Sequence, residues 1–148
     1  MASVLIVFGS TTGNTESIAH ILERKLTDAG HTVSVQNAAN AKPEHIAKDY
    51  NAVLFGASAW GEEDIEMQED FDSFFEHAKD MDLANKPCAA FASGDRSYPH
   101  FCGAVDVIEE TVKQLGGNCI TDGLRIEGDG QGEDEAIHTF IDEILKVL

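Results

Sequence analysis

A cluster of short hydrogen-bond donors, Ser10, Thr11, Thr12, Gly13, Asn14 and Thr15, follows directly on Gly9. Upstream, Val4, Leu5, Ile6, Val7 and Phe8 read as a buried strand; downstream, Ile18, Ile21, Leu22, Leu26 and Ala29 recur at helical spacing up to Gly30. A strand, a small-residue loop and a helix start together aim backbone N–H groups and hydroxyls at one point, which makes an anion site. The spacing excludes a Walker A loop, because Gly9 to Gly13 is one residue short and Asn14 stands where lysine is required. No G-x-G-x-x-G dinucleotide fingerprint is present either. With neither Lys nor Arg in the loop, and no evident Mg²⁺ ligand, uncharged donors must hold the charge alone. That suits the terminal phosphate of a mononucleotide that is bound and not transferred.

Two further stretches could complete such a site. One reads Gly56-Ala57-Ser58-Ala59-Trp60-Gly61-Glu62 and carries the only tryptophan; the other reads Ser93-Gly94-Asp95-Arg96-Ser97-Tyr98-Pro99-His100 and carries one of two tyrosines. Pro99 holds the residue before it in extended backbone. Aromatics on two loops beside a phosphate site suggest slots for a flat conjugated ring, where stacking adds about 0.5–1.5 kcal/mol beyond area burial.

Alternating strands and helices must position these loops. After the first helix come a thin strand, Thr32 to Gln36, a weak helix near Pro43 to Ala47, and a third strand, Ala52 to Ala57. An amphipathic segment carries Phe71, Phe74, Phe75 and Ala78, and a fourth strand runs from Cys88 to Ser93. A helix with Val105, Ile108, Val112 and Leu115 closes at Gly116-Gly117. The fifth strand region, Asn118 to Ile126, is expected to be bent or interrupted at Asp122-Gly123, before a last helix with Ile137, Phe140, Ile141, Ile144, Leu145 and Leu148. This alternation predicts an α/β fold, a doubly wound five-stranded parallel sheet with helices on both faces. Ligands of such sheets bind at the carboxyl ends of the strands, which selects the loops after the first, third and fourth.

A length of 148 residues fits one domain, 1–148, and a hydrophobic content of 43% disfavours disorder. Ten basic against 27 acidic residues give a formal net charge of −17. Nucleic acid and anionic lipid are thereby excluded as partners, and basic protein surfaces favoured. The acids cluster at Glu62, Glu63, Asp64, Glu66, Glu69, Asp70 and Asp72. No apolar run is long enough for a membrane span and no signal segment is evident, so a cytoplasmic protein is expected. Cys88, Cys102 and Cys119 show no metal-ligand spacing and read as reduced thiols. Neither a catalytic constellation nor a metal site is expected.

The loop GSTTGNTE, the Ser58-Ala59-Trp60-Gly61 stretch, the GDRSY segment ending at Tyr98 and Phe101-Cys102-Gly103-Ala104-Val105 together resemble the flavodoxins, near the short-chain type of sulfate-reducing bacteria. The resemblance covers the whole length and implies the strand order 2-1-3-4-5, non-covalently bound FMN and a monomer. It implies that Ser10, Thr11, Thr12, Asn14, Thr15 and Ser58 hold the FMN phosphate, while Trp60 and Tyr98 cover the two faces of the ring. Backbone groups around Gly61, Glu62, Gly94, Asp95 and Cys102 would meet the ring's polar edge; Gly13, Ala59, Ser93 and Phe101 complete the implied cofactor-binding set. Relatives often carry Thr where Ala59 stands and Asp where Glu62 stands, and His100 is a third departure.

The function implied is a low-potential one-electron carrier that shuttles mainly between semiquinone and hydroquinone. The Gly61 peptide would flip so that its carbonyl accepts a bond from flavin N5–H in the neutral semiquinone. Implied partners are low-potential oxidoreductases, hydrogenase systems and multihaem cytochromes. An FMN-dependent reductase acting directly on NAD(P)H or a small substrate is the alternative, but no second nucleotide motif serves it. A response-regulator receiver has the same topology but needs acids where Gly9-Ser10 and Ala57-Ser58 stand.

Overall fold

The computed structural model describes every residue of the chain except Met1, Thr12, 61–65 and 95–101, with the backbone alone at Trp60 and Glu66. Its parallel strands are β1 (Ser3–Gly9), β2 (Thr32–Asn37), β3 (Ala52–Trp60), β5 (Pro87–Gly94), β6 (Asn118–Cys119) and β7 (Leu124–Glu127); β4 (Glu66–Met67) is antiparallel. The order is β2-β1-β3-β5-β6, with β7 beside β5 and β4 beside β3. Strands β6 and β7 share the fifth position, one on each side of the interruption expected at Asp122-Gly123. The order is therefore the 2-1-3-4-5 of a doubly wound sheet.

Alternation along the strands divides the core into two layers. Leu5, Val7, Val53, Phe55, Ala57, Ala90 and Ala92 face one side, under α2 (Glu69–Phe75) and α3 (Ala104–Gln114). Val4, Ile6, Phe8, Leu54, Ala89 and Phe91 face the other, under α1 (Asn14–Asp28) and α4 (Asp134–Leu145). Strands buried on both faces read as continuous apolar runs, as β1 does. On the first face Phe71 stacks on Phe75 at 5.2 Å, and Phe55 meets Phe75 edge-on at the same centroid distance. On the second, α1 buries Ile18, Ala19, Leu22 and Leu26 at helical spacing and closes at Gly30, whose φ is 97°.

Two local expectations are corrected. Residues 44–49 form turns instead of a helix. The His45 and Ala47 N–H groups donate to the Asp80 and Met81 carbonyls, and His45 has a φ of 57°. Tertiary backbone bonds thus displace the i→i−4 ladder. Strand β3 also runs beyond Ala57, because Ala59 and Trp60 pair antiparallel with Met67 and Glu66 of β4. The tryptophan backbone therefore belongs to a strand extension and not to a loop.

All three cysteines are free, with Cys88 and Cys102 buried and Cys119 partly so. Burial, reinforced by the neighbouring Cys119, pushes the Cys88 thiol up to about 12. Burial also raises Cys119. Since thiolate is the reactive form, Cys88 stays in its unreactive thiol form at pH 8. Folded protein treated with iodoacetamide at that pH should show no label on Cys88 or Cys102 and slow label on Cys119 by peptide mass spectrometry. Rapid labelling of Cys88 would contradict this packing.

Candidate functional site

Strand register brings the donors together. Gly9 of β1 lies beside Ala57 of β3, and Ser58 lies beside Ser93 of β5. Ser10, Ser58 and Ser93 therefore sit at the carboxyl ends of three neighbouring strands. The Thr15 and Ser93 hydroxyls, both buried, are 2.6 Å apart and share a hydrogen bond across 78 residues of sequence. Whichever of the two hydroxyls accepts that bond keeps its own O–H to donate elsewhere.

The first turn of α1 faces this row. Its N-cap is Gly13, at a φ of 93° that other residues adopt only with strain, and a glycine has no side chain with which to cap the turn. The first N–H groups of a helix lack intrahelical acceptors and carry the positive end of the macrodipole, about half an elementary charge. The Gly13 N–H is turned back, donating to Ser10 Oγ at 3.0 Å, which tightens the loop around the helix start. Neutral hydroxyls around a helix start whose N-cap carries no side chain fit a phosphate group. Bulky side chains would not leave that room.

Gln68 supports the same place and was missed in the sequence, where it looks like one amide in an acidic run. It is 3% exposed. Its Oε1 accepts from the Phe71 N–H at 3.0 Å, capping α2, while its Nε2 donates to Asp70 Oδ2 at 3.0 Å and reaches Thr11 Oγ1 at 3.4 Å. Its own N–H donates to the Ser58 carbonyl at 2.8 Å. The available signal was its position just ahead of the Phe71, Phe74 and Phe75 stripe, where a cap belongs. Gly9 is matched to it: a Cβ there would collide with Gln68 Oε1 and Phe71.

Thus Ser10, Thr11, Gly13, Asn14, Thr15, Ser58 and Ser93 gather around the helix start. Ala59 lies alongside, paired with Met67, and Gly94 ends β5 in register with Glu127. The backbone at Trp60 continues β3. Thr12, Gly61, Glu62, Asp95, Tyr98, His100 and Phe101 lie outside the described residues. Cys102 is buried with its Sγ 3.5 Å from both the Ala92 and Ile126 carbonyls, so its thiol serves packing. Around the rim Glu69, Asp70 and Asp72 occupy the start of α2, where acids complement the helix dipole. A separate cleft of about 800 Å³, between β7 and α4, is edged, among the described residues, by Asp122, Glu133, Glu135 and Glu143 against the single cation Arg125, itself paired with Asp106, and does not suit an anion.

An open parallel sheet with helices on both faces, and an anion cradle of neutral donors at its carboxyl edge, defines a doubly wound α/β protein of the mononucleotide-binding kind. Comparison with known proteins makes this specific. The family model described as Flavodoxin matches residues 6–140. A flavodoxin of Nitratidesulfovibrio vulgaris (strain Miyazaki F) is 38% identical over 148 residues, covering 100% of both chains. A flavodoxin of Maridesulfovibrio salexigens is 40% identical over 134 residues, 90% of this chain and 92% of the relative. Among solved structures, a Streptococcus pneumonia TIGR4 flavodoxin superposes with a TM-score of 0.90 at 28% identity, covering 99% of this chain and 100% of the other. The chain belongs to the flavodoxin family.

Proposed function

We propose that this chain binds FMN non-covalently and carries single electrons at low potential between redox proteins, with no substrate turnover of its own. The observation that carries the reading is the buried Thr15–Ser93 bond, which locks a row of neutral donors against a helix start whose N-cap residue has no side chain. Ser10, Thr11, Thr12, Asn14, Thr15 and Ser58 hold the phosphate, Trp60 and Tyr98 flank the ring, and backbone around Gly61, Glu62, Gly94, Asp95 and Cys102 meets its polar edge. The bound flavin supplies the one-electron chemistry; the protein supplies binding, orientation and electrostatics.

The electrostatics follow from the formal net charge of −17. Each negative charge about 10 Å from an added electron costs roughly 0.4 kcal/mol at water-like dielectric and about 1.7 at an effective value of 20. Several such acids lower the second one-electron potential, and salt screens them. The same field steers association with basic faces of low-potential oxidoreductases, hydrogenase systems or multihaem cytochromes. Among the described residues no helix is long and apolar enough to cross a membrane.

Flavin-free protein titrated with FMN should form a yellow one-to-one complex. NAD(P)H alone should leave it oxidised, and a catalytic amount of a flavodoxin reductase should bleach it. The lower potential should rise with ionic strength. Failure to take up FMN would overturn the reading, and bleaching by NAD(P)H alone would make the chain a reductase.

A further inference from the structure

Cys102 is the described residue where the chain returns from segment 95–101 towards α3, and its φ is 52°, a left-handed conformation that few side-chain-bearing residues adopt. Part of what holds it there comes from β7. Arg125 Nη1 donates to the Cys102 carbonyl at 3.1 Å. The same guanidinium grips Asp106, in the first turn of α3, through Nη1–Oδ2 at 3.2 Å and Nη2–Oδ1 at 2.6 Å. The Cys102 carbonyl also accepts from the Val105 N–H at 3.1 Å, so the helix start and the arginine converge on one oxygen.

An exposed ion pair by itself contributes little. This pair is bidentate, and its cation is also bonded to a backbone carbonyl of a buried residue. A planar guanidinium can serve both acceptors at once; an ammonium lacks that fork. The Asp106 hydrogen bond raises the arginine further above its usual range, so the guanidinium keeps its charge.

We propose that Arg125 is a positioning residue for the ring end of the flavin site, holding the Cys102 backbone and the first turn of α3 against β7. The inference rests on the FMN reading above, because only that reading places Cys102 backbone beside the ring. It separates Arg125 from the phosphate donors, which act at the other end of the ligand.

Flavin-free protein is titrated with FMN and, separately, with riboflavin, following quenching of flavin fluorescence, alongside thermal melts. Arg125→Gln should weaken both flavins by the same factor, about tenfold, as expected for loss of a charged hydrogen bond. Arg125→Lys should recover less than half of that loss on a logarithmic scale, since charge without the fork does not restore the geometry. Asp106→Asn, which leaves the Cys102 bond in place, should fall between them and provides the test if Arg125→Gln folds poorly. A purely structural role would lower the melting temperature and leave both affinities unmoved. Affinities within twofold of the unsubstituted protein, loss of FMN alone, or full rescue by lysine would each overturn the clamp. Absence of flavin uptake by the unsubstituted protein would instead overturn the FMN reading, and the clamp with it.

Discussion

Ser10→Asp is expected to weaken FMN binding about a thousandfold while leaving riboflavin binding nearly unchanged. Ser10 Oγ already accepts a hydrogen bond from the Gly13 N–H at 3.0 Å, and an aspartate oxygen can accept the same bond, so the loop keeps its shape. What changes is charge in a cradle whose donors are all neutral. A carboxylate about 4 Å from one phosphate charge costs about 4 kcal/mol at an effective dielectric of 20, close to a thousandfold in affinity. Riboflavin lacks the phosphate and escapes that repulsion. Parallel titrations of the flavin-free variant with the two ligands decide the matter. Equal affinity losses for both would mean that the substitution had damaged the fold, and retained FMN affinity would place the phosphate elsewhere.

Gly56→Ala should produce the second large effect, on stability. Gly56 lies in the middle of β3, opposite Phe91 of β5, and a Cβ there would come within 2.5 Å of three Phe91 ring carbons. Phe91 is fully buried, so it has no solvent to swing into. Forcing extra volume into a packed core costs typically about 1–3 kcal/mol and occasionally more. We expect about 3 kcal/mol, which for a chain of this size lowers the melting temperature by roughly 6–12 °C. The double variant Gly56→Ala with Phe91→Leu should recover part of the loss, because the shorter side chain vacates the space. A cycle with no coupling between the two positions would show that the sheet relaxes by another route.

Much of this protein is readable residue by residue. The apolar run Val4 to Phe8, the donors from Ser10 to Thr15 and the helical stripe from Ile18 to Leu26 are contiguous, so periodicity and turn chemistry declare strand, loop and helix without reference to the rest of the chain. The break at Asp122-Gly123 was legible for the same reason: a turn dipeptide interrupts a strand pattern, and the strand divides there into β6 and β7. The alternation of elements then limits the topology to a few arrangements, among them the one observed.

Other features depend on partners distant in sequence. The stretch after Pro43 has helical spacing, but its N–H groups find carbonyls at Asp80 and Met81 first. The Trp60 backbone joins a strand because β4 returns to pair with it.

By itself, then, the sequence determined most of the elements and their order, the uncharged character of the loop from Ser10 to Thr15 and the strongly acidic composition, since each depends on neighbouring residues or on composition alone. Only the tertiary structure decided that Thr15 bonds Ser93, that Gln68 ties Thr11 to α2, and that Arg125 holds Cys102 to α3. Those contacts follow from strand register and helix docking, and no local pattern of side chains encodes either.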